Sequence, residues 1–139
     1  MKDSVRSILL IEDNATDVAL LGQALDQSGI PYSFHVLRDG DAVREFTAGP
    51  LPFEPCLVVL DLHIPLCTGE TALRMLRNHP ELTETPIAAV SGHIPPRHRE
   101  TILALGADLY LEKPMDWGGT LRFAARLIEV CNARAAFAK

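Results

Sequence analysis

Leu57-Val58-Val59-Leu60-Asp61-Leu62-His63-Ile64-Pro65-Leu66-Cys67-Thr68-Gly69 is the stretch on which the fold turns. Four consecutive apolar residues deliver a carboxylate, and a proline and a glycine then turn the chain. An unbroken apolar run too short for a helix and followed by breakers predicts a strand buried on both faces, as in a parallel sheet. Asp61 then ends that strand at its C-terminal edge, where open α/β sheets bind ligands.

Working outward, other strand ends repeat the pattern. Ser7 to Ile11 predicts a first strand, with Glu12-Asp13-Asn14 directly after it. Asn14 suits the cap of a helix carrying Val18, Leu21, Gly22 and Leu25 on one face, stopped by Ser28-Gly29. Tyr32 to Leu37 alternates around Phe34 and Val36, as an exposed edge strand does. Asp39 or Asp41 caps a short helix that Gly49-Pro50-Leu51-Pro52 breaks. Glu70 to His79 returns to helical spacing. Pro86 to Val90 is a fourth strand with Ser91-Gly92 after it, and Pro95-Pro96 opens another helix. Asp108 to Leu111 is the last strand, ending in Lys113-Pro114, and Asp116 precedes a long final helix reaching toward Phe137.

Five strands alternating with five helices predict a doubly wound α/β sheet. The strand order 2-1-3-4-5 sets strands one and three side by side. Glu12, Asp13 and Asp61 then converge on one edge, and Ser91 and Lys113 join them from strands four and five. No repeat, low-complexity tract or linker interrupts the chain, so a single domain over residues 1–139 is expected.

Bulk properties narrow the function. A chain of 139 residues with 47% hydrophobic and 22% charged residues suits one globular core. A net charge of −5 argues against nucleic-acid or anionic-membrane binding. The apolar run at Ile8 to Ile11 is too short for a signal peptide or a membrane span. Cys56, Cys67 and Cys131 are an odd number without C-x-x-C spacing, and are expected to be reduced thiols in a cytoplasmic protein.

Three converging carboxylates repel at roughly 4 kcal/mol per pair for charges about 4 Å apart and an effective dielectric near 20. A hard divalent cation offsets that repulsion at neutral pH, and Mg²⁺ keeps coordination positions for water and phosphoryl oxygens. A carboxylate can also become an aspartyl phosphate. Asp61 is central enough to be that nucleophile, with Lys113 pairing with one phosphoryl oxygen and the Ser91 hydroxyl with another.

The set Glu12-Asp13, Asp61, Pro65, Gly69, Ser91, Gly106-Ala107, Tyr110 and Lys113-Pro114 resembles the receiver domain of two-component response regulators, of flavodoxin-like (CheY-like) fold, from about Ser7 to Val130. The resemblance implies that Asp61 is the phosphoacceptor for a sensor histidine kinase. It implies that Asp13 binds Mg²⁺ directly, Glu12 through water and His63 by its backbone carbonyl. Ser91 and Tyr110 match the switch pair, in which the aromatic ring follows the hydroxyl. Lys113 matches the family's lysine, and Pro114 the proline usually preceded by a cis peptide. Ile-Glu-Asp-Asn and Leu-Asp-Leu-His-Ile-Pro resemble the small single-domain regulators, including those paired with bacterial phytochromes. Leu66-Cys67-Thr68 is less polar than the family's usual loop and marks a place for partner choice.

Further expectations concern the periphery. His63 and His93 stand two residues after Asp61 and Ser91, where the family tunes the lifetime of the phosphoryl group. His98 and His93 flank the prolines and are expected to be solvated. On the last helix Leu121, Ala124, Ile128, Cys131 and Ala135 form one apolar face, and Phe123, Leu127, Val130 and Phe137 form another, which predicts a homodimer. Without an output domain, the receiver would act by docking, dimer change or relay. A swing in its states from about 1:99 to 99:1 needs roughly 5.5 kcal/mol of differential stabilisation. Two other readings fit parts of the pattern: an Mg²⁺-dependent aspartyl-phosphate phosphohydrolase, which lacks a second acid at Leu62 or His63, and a binding module that works without phosphorylation.

Overall fold

The chain forms a five-stranded parallel sheet in the order β2-β1-β3-β4-β5. A computed structural model describes residues 6–92 and 96–137, with side chains for 6–92 and 97–133. The strands are β1 (Arg6–Ile11), β2 (Tyr32–Leu37), β3 (Leu57–Asp61), β4 (Ile87–Ser91) and β5 (Leu109–Glu112), and the helices between and after them are α1 (Ala15–Asp26), α2 (Gly40–Thr47), α3 (Gly69–Arg77), α4 (Pro96–Ala104) and α5 (Trp117–Phe137).

Side chains alternate across each strand, so the sheet divides its apolar residues between two cores. Leu9, Ile11, Val58, Leu60, Ile87 and Ala89 face Val43 of α2, Leu73 and Leu76 of α3 and Ile102 of α4. Ile8, Leu10, Leu57, Val59, Ala88 and Val90 face Leu21 and Leu25 of α1 and Ala124 and Leu127 of α5. Every residue of β3 and β4 is buried, whereas every residue of β2 is half-buried at the sheet edge.

Local chemistry sets the helix starts. Asn14, Asp39 and Thr68 each accept a hydrogen bond from the backbone N–H three residues on, and the Asp116 carboxylate accepts from the Gly119 N–H at 2.7 Å. At Gly69 a Cβ would lie 2.8 Å from the Leu62 carbonyl oxygen, so a side chain there would push the β3–α3 loop off the strand end. Leu66 in that loop takes φ 74°, a left-handed setting uncommon for leucine, and leaves its side chain 64% exposed.

Four expectations are corrected. Cys56 and Cys131 form a disulfide with their Cα atoms 5.2 Å apart, and only Cys67 among the cysteines is free. The lead-in to β3 and the inward face of α5 meet across 75 residues of sequence, a proximity that local spacing does not reveal. The peptide before Pro114 is trans, as are all peptides among the described residues, the form that X–Pro bonds ordinarily prefer. Leu127 is fully buried against the sheet and is not available to a second chain. The inward face of α5 runs through Thr120, Ala124, Leu127 and Cys131, cutting across both expected stripes, while Leu121, Phe123, Ile128 and Val130 are half-buried. His98, the fourth, is half-buried and bonded rather than solvated.

Candidate functional site

The C-terminal ends of β1, β3 and β5 place their polar side chains in one cleft. Glu12 and Asp61 are 5% and 4% exposed, while Asp13 faces solvent. One carboxylate oxygen from each of Glu12, Asp13 and Asp61 lies within 4.8 Å of the others. His63, Asn14, Ala15, Thr16 and Gly92 line the same cleft, of about 470 Å³.

Asp61 is held at both oxygens. The His63 N–H donates to Oδ1 at 2.8 Å and the Lys113 ammonium donates to Oδ2 at 2.9 Å. Lys113 also meets Glu12 at 3.1 Å and Asp17 at 2.9 Å, so its three N–H donors face three carboxylates. Asp17 stands in the first turn of α1, one turn past Glu12-Asp13. The sequence offers that spacing as a signal, but as a first-turn acid Asp17 reads equally as helix-terminus electrostatics.

Burial, then the hydrogen bond shared with Asp61, pushes the Glu12 carboxyl up to about 7, against the opposing effects of the Asn14 N–H and Lys113. Burial alone would lower the Lys113 pKa, but its contacts with Asp61, Asp17 and Glu12 outweigh this and hold it above the ordinary lysine value. Among the described residues, Lys113 is the one ammonium beside the four acids Glu12, Asp13, Asp17 and Asp61. A hard divalent cation on Glu12, Asp13 and Asp61 would relieve that excess of negative charge with the oxygen ligands such ions take.

The remaining predicted residues sit around this centre. Ser91 is fully buried at the end of β4, and its carbonyl accepts from the Lys113 N–H at 2.9 Å. Tyr110, 5% exposed, points into the core between α4 and the sheet. His63 is exposed beside Asp61. His93 lies outside the described residues, as does the side chain of Phe137.

A family model described as "Response regulator receiver domain" matches residues 8–121. The chain belongs to the response regulator receiver domain family. The receiver is 32% identical over 88 residues to response regulator Rcp1 of Synechocystis sp., a match covering 60% of each protein. It is 26% identical over 110 residues to the histidine kinase BarA of Escherichia coli, where 79% of the receiver matches 11% of the kinase. The receiver therefore spans less than two-thirds of either relative's length. Its fold superimposes on the phosphorylated cyanobacterial phytochrome response regulator RcpA with a TM-score of 0.81 at 25% identity, covering 91% of the receiver and 93% of that chain. On the Mn(2+)-bound form of Rcp1 the TM-score is 0.72 at 25% identity, covering 86% and 88%. Glu12, Asp13, Asp61 and Lys113 all lie within the matched receiver domain.

Proposed function

We propose that this receiver takes a phosphoryl group from the phosphohistidine of a sensor kinase onto Asp61, with Mg²⁺ held by Glu12, Asp13, Asp61 and the His63 carbonyl. The observation that carries this is Asp61 itself: a buried carboxylate at a strand end, pinned by one N–H and one ammonium and flanked by two further acids. When bound, the metal supplies positive charge for the phosphoryl oxygens. The protein's own groups do the positioning. The His63 N–H fixes the carboxylate orientation, and Lys113 gains a phosphoryl oxygen as a partner in place of an Asp61 oxygen. The P–N bond of phosphohistidine breaks as the P–O bond to Asp61 forms, and the imidazole leaves with the electron pair.

Ser91 and Tyr110 act as the switch, with Ser91 closing on the phosphoryl group and Tyr110 setting the α4–β5 face. The Mn(2+)-bound Rcp1 structure supports a divalent ion at such a site, and Mg²⁺ is the ion we assign. Exposed Leu20, Met115 and Trp117 border the apolar pocket that also contains Lys113, which suits a protein partner approaching Asp61 over α1 and the β5–α5 loop. Phytochrome kinases are the class to test first, because RcpA is a phytochrome response regulator. Such a partner favours a cytoplasmic site, although the Cys56–Cys131 disulfide removes the support drawn from reduced thiols.

Incubation with acetyl phosphate and Mg²⁺, followed by intact-mass measurement, tests the assignment. One phosphate adduct forms and is lost in Asp61→Asn. An adduct that survives in Asp61→Asn places the acceptor elsewhere, and steady turnover of excess donor favours a phosphohydrolase. In the same time course His63→Ala and His93→Ala change the rate at which the adduct disappears; an unchanged rate removes both from lifetime control.

A further inference from the structure

α4 lays two side chains against Tyr110. His98 Nδ1 lies 2.8 Å from the phenolic oxygen, with the rings edge-on and their centroids 5.9 Å apart. The Arg99 guanidinium sits 5.9 Å from the same ring centroid, and its Nη1 donates to the Tyr110 carbonyl at 3.4 Å. On its other edge His98 turns Nε2 toward the Glu70 carboxylate of α3 at 3.8 Å.

In the tautomer that carries its proton on Nε2, toward that carboxylate, Nδ1 accepts from the tyrosine O–H. This matters because Tyr110 is nearly fully buried, and a buried hydroxyl without a partner opposes burial of its ring. His98 supplies a partner from a helix that forms part of the face set by the ring. Glu70, near the start of α3, ties the same imidazole to the helix that follows the Asp61 loop.

We infer that His98 is a positioning residue of the switch, holding Tyr110 in its buried setting and linking α3, α4 and β5 through the Glu70–His98–Tyr110 contacts. The inference rests on the reading of Ser91 and Tyr110 as the switch pair. Phosphorylation then acts on an aromatic ring whose position is already biased by a side chain outside the acidic cleft.

The chain has two tyrosines, and Tyr32→Phe removes only a hydroxyl on the edge strand and leaves Tyr110 alone for labelling. In that background, protein labelled with 3-fluorotyrosine is followed by ¹⁹F NMR with a soluble paramagnetic agent. The parent shows a Tyr110 resonance protected from the agent. His98→Ala shifts the buried-to-exposed ratio about fivefold toward exposure, the scale of one hydrogen bond, while His98→Gln, which keeps an acceptor, stays closer to the parent. An unmoved ratio in a folded His98→Ala protein, judged by circular dichroism, overturns the inference. Intact mass after acetyl phosphate and Mg²⁺ separates the two claims. An adduct on the parent with an unmoved ring removes His98 alone, whereas no adduct on the parent removes the phosphoacceptor reading.

Discussion

Glu12 takes a proton near pH 7 because burial and the hydrogen bond with Asp61 both oppose its charge. Its carboxyl rises from 4.5 to about 7 on folding, so between those values the folded chain holds more of this proton than the unfolded chain. Stability contributed by Glu12 is therefore present below about pH 4.5 and is lost as pH rises toward 7. Metal binding runs the other way. A divalent cation favours the carboxylate, so below about pH 7 it must displace the proton. Mg²⁺ affinity is expected to be about tenfold weaker at pH 6 than at pH 8, the cost of one proton displaced one pH unit below the pKa. Trp117, which lines the pocket shared by Glu12, Asp61 and Lys113, offers a fluorescence readout. Glu12→Gln weakens binding and flattens its pH dependence; equal affinity of the parent at the two pH values would contradict the assignment. Glu12 and Asp61 were legible in the sequence because each follows an apolar run directly. Asp17 and His98 were not. Their partners, Lys113 and Tyr110, come from another element, and helical periodicity carries no information about such pairs.

At the scale of the element, α5 separates what composition shows from what packing decides. Apolar residues nearly surround it, and the stripe expected to meet a second chain, Phe123, Leu127, Val130 and Phe137, includes Leu127, which packing places inside. The chosen face instead includes Thr120, whose hydroxyl donates to the Asp116 carbonyl at 3.0 Å and so needs no water. Strand β2 was legible to the residue because it is an edge strand with alternating character and clear breakers. Strand β5 starts one residue later than expected because the Asp108 carboxylate turns aside to accept from the Ile87 N–H at 2.9 Å and from Arg77 at 3.3 Å. The burial of Leu127 gives α5 two separable tests. Leu127→Ala lowers unfolding free energy by about 2–5 kcal/mol, the usual range for a large core side chain, without changing assembly. We propose that Phe123 and Val130, only half-buried, contribute to a homodimer. Phe123→Glu with Val130→Glu then halves the mass seen by sedimentation at micromolar concentration. A parent that already sediments as a monomer contradicts the dimer, and a mass change in Leu127→Ala contradicts the separation of core from contact.

For the whole molecule, the sheet order was legible because reactive residues gather at strand ends, and only a parallel sheet with β1 beside β3 brings Glu12, Asp13 and Asp61 together. The covalent link across the opposite end was not legible. Cys56 precedes β3 and donates its backbone N–H to the Ser7 carbonyl at 2.8 Å, while Cys131 lies fully buried on α5. Their bond joins the two elements at the end of β3 remote from Asp61. Closing a loop of this length restricts the unfolded chain by an amount worth up to about 4 kcal/mol in the loop-entropy account. Reduction, or Cys131→Ser, should therefore lower the urea unfolding free energy by about 2–4 kcal/mol. The oxidised protein unfolded in urea should expose one titratable thiol, Cys67, and the reduced protein all three cysteines of the sequence. Phosphate uptake at Asp61 should be the same in both forms, since the disulfide braces the sheet at the end away from the acidic cleft. Three thiols in the oxidised sample would contradict the link, and loss of the phosphate adduct on reduction with the fold intact would show that the brace reaches the acidic cleft.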